Sequence, residues 1–318
     1  MAVQFLYLHA SYPSLLVVEH ILLARWGDGR RNSDAWHWRR TVQLCEPQRR
    51  SLQHERCRQN RYTTKYCLGA VVPLDLYLFF VEDVVFKGPL PTELGLLTNL
   101  AYLELSNRNF YGSIPSEIGY LQQLFLLGLS GGNHLLGSIP YTFGNLSNLQ
   151  YLELGSSSLS GSIPSTMFNL SSLIYLNISS NSLSGAFPFD DMPYNTLTSL
   201  FIDGNSFTGP IFSSIGKLSS LMTFDLSDNS FQGSLPTELG LLTSLRFFNL
   251  SVDSTVTGSI PSEIGKLDDL TFLGLSELNL NGTLPVQMEQ MTSLKYLQMS
   301  QNNITGYYRV ALLLPHSS

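Results

Sequence analysis

Cys45, His54, Cys57 and Cys67 are the side chains of this chain that by type could converge on one metal ion. Two thiolates with imidazole or further thiolate ligands are the chemistry of zinc. Their spacing fits no standard finger, so no metal is expected, and the three cysteines read as a disulfide plus one free thiol, or as unpaired residues of an irregular segment. Hydrolytic and phosphoryl-transfer chemistry have no carriers either. The sequence contains no P-loop, Gly-x-Ser-x-Gly elbow, His-Glu-x-x-His pair or kinase signature, and its six histidines recur with no period. We therefore expect a protein that is not an enzyme and that has no cofactor. What does recur is chemistry of recognition. Aromatic residues Tyr102, Tyr151, Tyr175, Phe247, Phe272 and Tyr296, with Glu104, Glu153, Asp203 and Asp225 beside them, fall at spacings that are close to multiples of 24. Rings supply contact area and carboxylates supply directed charge, the two things a binding surface needs.

Those residues are positioned by a repeat. A glycine followed two residues later by an aliphatic residue (Phe187 in the Gly185 copy) and then proline recurs from Gly88 through Gly112, Gly137, Gly161, Gly185, Gly209, Gly233, Gly258 and Gly282, and fades at Gly306. The step is 24 residues seven times and 25 twice, and only the Gly209 copy replaces the proline, with Phe212. Between these markers, Leu100, Leu103, Leu105 and Phe110 recur as Leu173, Leu176, Ile178 and Leu183. Leucines two apart point to one side of an extended strand. One such strand per coil allows a parallel sheet to stack over a shared core that no single coil could close. Leu76, Phe79, Val81 and Phe86 hold the same offsets before Gly88, which makes about ten coils and a sheet roughly 43 Å long at the ordinary strand spacing.

Thr92-Glu93, Ser116-Glu117, Thr237-Glu238 and Ser262-Glu263 suit the start of a short helical turn, the hydroxyl capping free N–H groups and the carboxylate complementing the dipole. Asn133, Asn181, Asn205, Asn229 and Asn302 follow the strand at a fixed offset (Asn133 after one extra residue), where an amide that donates and accepts can link adjacent coils. The ladder is broken at Val84, Arg108, Ser157 and Leu278 and near Asp253, where looser turns are expected.

The pattern L-x-x-L-x-L-x-x-N-x-L-x-G-x-I-P resembles the plant-type leucine-rich repeats of receptor-like kinases, receptor-like proteins and polygalacturonase-inhibiting proteins, over roughly residues 71–306. The resemblance implies an α/β repeat fold: a right-handed solenoid of about ten 24-residue coils, with a concave parallel sheet as the ligand face and a second strand-like edge at Gly-x-Ile-Pro. Family ectodomains begin with a signal peptide and a paired-cysteine cap. Here Trp36 and Trp38 precede Cys45 without reproducing that spacing. Two expectations follow: residues 1–70 and 307–318 serve as an irregular cap of the array, or, the reading favoured, the chain is a truncated or misassembled reading of a longer gene.

Charge divides the chain. Residues 1–68 carry 11 Lys+Arg against 5 Asp+Glu, and the remainder 7 against 19, within a net −6. The expected organisation is a basic, irregular N-terminal segment over 1–70 and the repeat domain over 71–318. No apolar run is long enough to span a membrane. The first residues lack the basic start of a secretory leader. With a leader upstream the chain is extracellular or at the cell surface; without one it is cytoplasmic.

The ligand face is read from strand alternation as Tyr102, Glu104, Tyr151, Glu153, Tyr175, Asp203, Asp225, Phe247, Phe272 and Tyr296. Any single ring there is accounted for by stacking on the next strand. Six on one exposed face form a patch that monomers seldom leave unused. The acidic bias favours a basic peptide or protein and disfavours nucleic acid. The function expected is non-catalytic protein or peptide binding, receptor-ectodomain-like. The alternatives are an inhibitor of a secreted hydrolase and an intracellular scaffold. Six glycosylation sequons stand at Asn145, Asn169, Asn177, Asn249, Asn281 and Asn303. Glycans at Asn177 and Asn249 would obstruct the ligand face.

Overall fold

The computed structural model describes residues 77–80, 88–189, 196–253 and 255–306. The cysteines, the basic segment, Leu76, Val81, Val84, Phe86 and residues 307–318 lie outside them. The coils that are described in full run the same circuit. A three-residue strand is followed by a tight turn, a second short strand ending near the glycine, an extended proline, and a 3-10 turn that leads to the next strand.

The first strands form one ten-stranded parallel sheet. They are Leu78–Phe80, Tyr102–Glu104, Leu126–Gly128, Tyr151–Glu153, Tyr175–Asn177, Ser199–Phe201, Thr223–Asp225, Phe247–Asn249, Phe272–Gly274 and Tyr296–Gln298. Each pairs only with the coil before and the coil after, without slippage: Tyr102 faces Leu126, which faces Tyr151, which faces Tyr175. The second strands, from Tyr111–Ser113 to Asn303–Ile304, form a nine-stranded parallel sheet in the same order. This is the second edge expected from Gly-x-Ile-Pro.

Alternation sets the core. In most strands of the first sheet the middle residue is buried and its two neighbours are half-exposed. Leu103, Leu127, Leu152, Leu176, Leu200, Phe224, Phe248 and Leu273 form one internal row. The aliphatic residues of the second strand region, Ile114, Ile139, Ile163, Ile211 and Ile260, close the core from the other side. In the middle coils phenylalanine fills the interior, Phe189 lying 6.0 Å from Phe231 and 6.4 Å from Phe224. Burial on this scale, at about 1.5–3 kcal/mol per large apolar side chain, is what makes a stack of short strands stable where one coil would not be.

The helical turns differ from expectation. Pro91, Pro115, Pro236 and Pro261 occupy the cap position with φ between −74° and −65°, and no side chain caps any of these turns. The hydroxyls of Thr92, Ser116, Thr237 and Ser262 donate instead to the carboxylate of the following glutamate. Proline has preset the entry φ and moved the hydroxyl one place too far along to reach the free N–H groups. Phe212, which replaces the proline, adopts the same extended conformation (φ −73°, ψ 156°), so the neighbouring coils impose this geometry even without the ring. The 3-10 turns of adjacent coils touch at their glycines. A Cβ added at Gly95 would lie 2.5 Å from the Glu117 carbonyl oxygen, and one at Gly240 would collide with the Glu263 carbonyl.

The asparagine ladder is present as drawn from the sequence. Asn181, Asn205, Asn229 and Asn302 each accept a backbone N–H from the preceding coil at 3.0–3.1 Å, from Leu159, Leu183, Phe207 and Leu280. Each amide nitrogen donates both to its own turn and to the coil before, as Asn229 does to Leu226 and Ile202. Asn133 does the same across its one-residue insertion, accepting from Phe110 N and donating to Leu105 and Leu129. At the four gaps within the described residues the expected looser turns are not there. Asn107, Ser156, Val252 and Glu277, one residue before the breaks, hold the left-handed conformation (φ 54–67°) that Ser180, Gly204 and Asp228 adopt in intact turns. Backbone pairing between coils fixes it: Asn107 N to Ser130 O, Ser156 N to Ser179 O, Val252 N to Ser276 O and Glu277 N to Ser300 O, all at 2.9 Å.

Candidate functional site

The outward face of the ten-stranded sheet carries the residues singled out from the sequence. Tyr102, Tyr151, Tyr175, Phe247 and Phe272 sit half-exposed at the first strand position, and Tyr296, at the last described coil, is 64% exposed. Glu104, Glu153 and Asp225 sit half-exposed at the third position, and Asp203 follows two residues beyond the end of its strand on the same face.

The aromatics do not form one column. A first patch runs unbroken through Tyr77, Tyr102, Phe125, Tyr151, Tyr175 and Phe201, with successive centroids 5.8, 5.3, 5.4, 6.4 and 5.6 Å apart. Phe125 precedes its strand, and its ring bridges the place where the column itself has Leu126. A second patch comprises Phe247 stacked on Phe272 at 4.6 Å and 10°, with Tyr296 6.5 Å beyond. Ser199 and Thr223 hold the aromatic position in the two coils between. Strand alternation alone missed Tyr77 and Phe125 as members, and it placed Phe201 on the outward face at the third strand position, not with the rings. Their signal was ring character next to the column rather than in it.

Acidic and amide groups occupy the gap and the flank. Burial pushes the Asp203 carboxyl up to about 6, with the Asp225 charge raising it further, its own N–H bond pulling it down, and Asp228 adding a smaller push. Asp225 is tied down: its Oδ1 accepts from Ser227 N at 3.1 Å and Ser227 Oγ at 2.6 Å. Its Oδ2 accepts from Asn249 Nδ2 at 3.4 Å. Glu104 accepts from Ser106 N at 2.8 Å, and its carboxylate lies over Gly128, where a Cβ would collide with it. The serines after each strand link coil to coil, Ser106 to Ser130 and Ser130 on to Glu153. Such bonds hold the polar groups at fixed positions before any ligand arrives, which lowers the ordering cost of binding. Arg246 and Lys295 stand exposed on the coils of the second aromatic patch.

The sequons separate into two sets. Asn145, Asn169, Asn281 and Asn303 are exposed and lie off the ten-stranded sheet. Asn177 and Asn249 are half-buried on it, and their side-chain oxygens accept from Ser179 and Ser251, the hydroxyl residues of their own sequons. Among the described residues no group of His, Cys, Asp or Glu could hold a metal ion, and no helix is long and apolar enough to cross a membrane.

Two stacked parallel sheets, a 24-residue circuit and an amide ladder define a leucine-rich-repeat solenoid. The Leucine Rich Repeat family model matches residues 148–170, 196–218 and 220–242. Comparison with curated proteins finds no match. Among solved structures, the chain is similar to a TDR receptor, at 34% identity over 74% of this chain and 41% of that one, TM-score 0.70. It is similar to the plant peptide hormone receptor RGFR1 in complex with RGF2, at 31% identity over 71% and 40% of the two chains, TM-score 0.63. It is also similar to the Arabidopsis receptor kinase HAESA in complex with the peptide hormone IDA and the co-receptor SERK1, at 27% identity over 72% and 46%, TM-score 0.52. The repeats are thus of the kind found in plant receptor-kinase ectodomains, and the chain spans less than half the length of each of these relatives.

Proposed function

We propose that this chain is a non-catalytic binding module that takes an extended basic peptide, or a basic strand of a protein, across the ten-stranded sheet. One observation carries the reading: two aromatic patches flank a polar gap whose charged groups are the carboxylates of Asp203 and Asp225. Rings at both ends supply contact area, and the carboxylates between them favour a cationic side chain and repel an acidic one. RGFR1, similar in fold, is a plant peptide hormone receptor, and HAESA is seen with the peptide hormone IDA, which supports the ligand class.

The test is selection from a peptide library ranging from acidic to basic, repeated with the Asp203→Asn, Asp225→Asn double variant. Basic peptides should be enriched, and their affinity should fall roughly tenfold or more in the variant and with added salt. Enrichment of acidic peptides, or equal binding by the variant, would end this reading.

A further inference from the structure

A hollow of about 820 Å³ lies beside the first aromatic patch, at the entry side of the strands. It spans four successive coils. Its lining contains no charged residue: rings from Tyr77, Tyr102, Tyr120 and Phe125 meet the amides of five asparagine and glutamine side chains. Three of those amides, Asn99, Gln123 and Asn148, stand three residues before the first position of successive strands. In the later coils the same place is held by Thr196, Ser220, Ser244, Asp269 and Ser293. The long amides are therefore a local departure from the repeat, confined to this hollow. Gln122 and Gln123 are exposed, so their amides stand available at its rim.

An uncharged hollow offers nothing to replace the hydration of an ionic ligand, which would lose free energy on entering. Amides both donate and accept, and so match groups that do the same. Ring faces match flat, weakly polarised C–H surfaces. A ligand with dense hydroxyls, no charge and flat C–H faces is an oligosaccharide of pyranose rings with equatorial hydroxyls. We infer that this hollow is a binding site for a neutral, extended oligosaccharide, with Tyr77, Tyr102 and Tyr120 as ring contacts and Gln122, Gln123 and Gln150 as hydroxyl partners. The site shares Tyr77, Tyr102 and Phe125 with the first aromatic patch of the surface proposed above but does not depend on that reading.

The experiment titrates the whole chain with cellohexaose by calorimetry, with a hexagalacturonate of similar length as the charged comparison. Saturable binding of cellohexaose, with weaker or no binding of the polyanion, is expected. Gln122→Ala with Gln123→Ala should weaken it at least tenfold, and Tyr120→Ala should do the same independently. All three side chains are exposed, so the thermal transition should stay in place. Phe247→Ala, in the distant patch, should leave saccharide binding unchanged whether or not it alters peptide binding. No saturable binding, preference for the polyanion, or full binding by the amide variant would overturn the inference.

Discussion

Asp253 and Phe231 are joined by a single hydrogen bond, Phe231 N to Asp253 Oδ1 at 2.9 Å, in the place where every intact coil has an asparagine. The equivalent bond from Phe207 N to Asn229 is 3.0 Å long. The acceptor half of the ladder is kept and the donor half is lost. Asp253 is buried, its Oδ2 has no partner, and no amide hydrogen is there to meet the carbonyls that Asn229 serves in its own turn. Burial pushes its carboxyl up to about 7, against the Phe231 N–H, which lowers it, and with help from the Asp228 charge.

A pH dependence follows from that carboxyl. The folded chain keeps a proton at Asp253 that the unfolded chain releases near the ordinary value of 3.8. The folded state binds more protons between about pH 4 and 7, so stability is highest below that window and falls as pH rises through it. Asp253→Asn restores the donor. It should stabilise the chain by about 1–3 kcal/mol at pH 8, with little gain at pH 4. Urea unfolding at the two pH values measures this, and equal gains at both would contradict it.

Asp203 gives a second pH effect, on binding. Its carboxyl, pushed up to about 6, is charged at pH 7.5 and largely neutral at pH 5. Affinity for a basic peptide should therefore fall as the pH drops across that interval, and Asp203→Asn should remove the inflection. A titration of affinity against pH for both proteins decides it.

Val252 carries φ 67°, a left-handed backbone on a β-branched residue. Its side chain is 45% exposed, so little packing is lost on removing it. Val252→Gly should raise the melting temperature, by about 1 kcal/mol of stability once the greater freedom of glycine in the unfolded chain is subtracted. A lower melting temperature would show that Val252 packs more than its exposure indicates.

Gly240 tests the opposite case. Its Cβ would meet the Glu263 backbone of the next coil, which cannot swing aside as a side chain could. Gly240→Ala should cost about 1–3 kcal/mol, the usual range for overpacking, despite alanine's better helix propensity. A neutral result in thermal unfolding would mean that adjacent coils slide more freely than their register suggests.

Tyr151 separates recognition from stability. Its ring lies 5.4 Å from Phe125 and 6.4 Å from Tyr175, so Tyr151→Ala removes two ring contacts at about 0.5–1.5 kcal/mol each. With Glu153→Ala added, peptide affinity should fall well beyond that loss while the chain remains folded. If affinity holds and only the melting temperature drops, these two residues serve the sheet alone.

The strand register, the first sheet and the amide ladder were legible in the sequence because a coil repeats its leucines, glycine and asparagine at one period, while the second sheet was expected only from the family resemblance. A misplaced coil would break the period at once. The turns at Ser157 and Leu278 were misjudged because their shape comes from N–H and carbonyl groups of the adjacent coil, which every residue type carries. The hydroxyl caps were misjudged because Pro91 and its equivalents already hold the cap position. Phe125 escaped because it stands one residue ahead of the alternating strand, and its place above Leu126 depends on where Tyr102 and Tyr151 lean.

In the ten-stranded sheet each strand meets only the coil before it and the coil after it, always residue to equivalent residue. A gene duplication or deletion of one whole period would thus leave every surviving junction chemically familiar, and the lengthened or shortened array would still close. Its effect would fall on the ruler that the two aromatic patches make: one coil added at Ser199–Thr223 would move them apart by one strand spacing, about 4.8 Å. Ligand length could in this way change by recombination alone, without a substitution at any contacting residue.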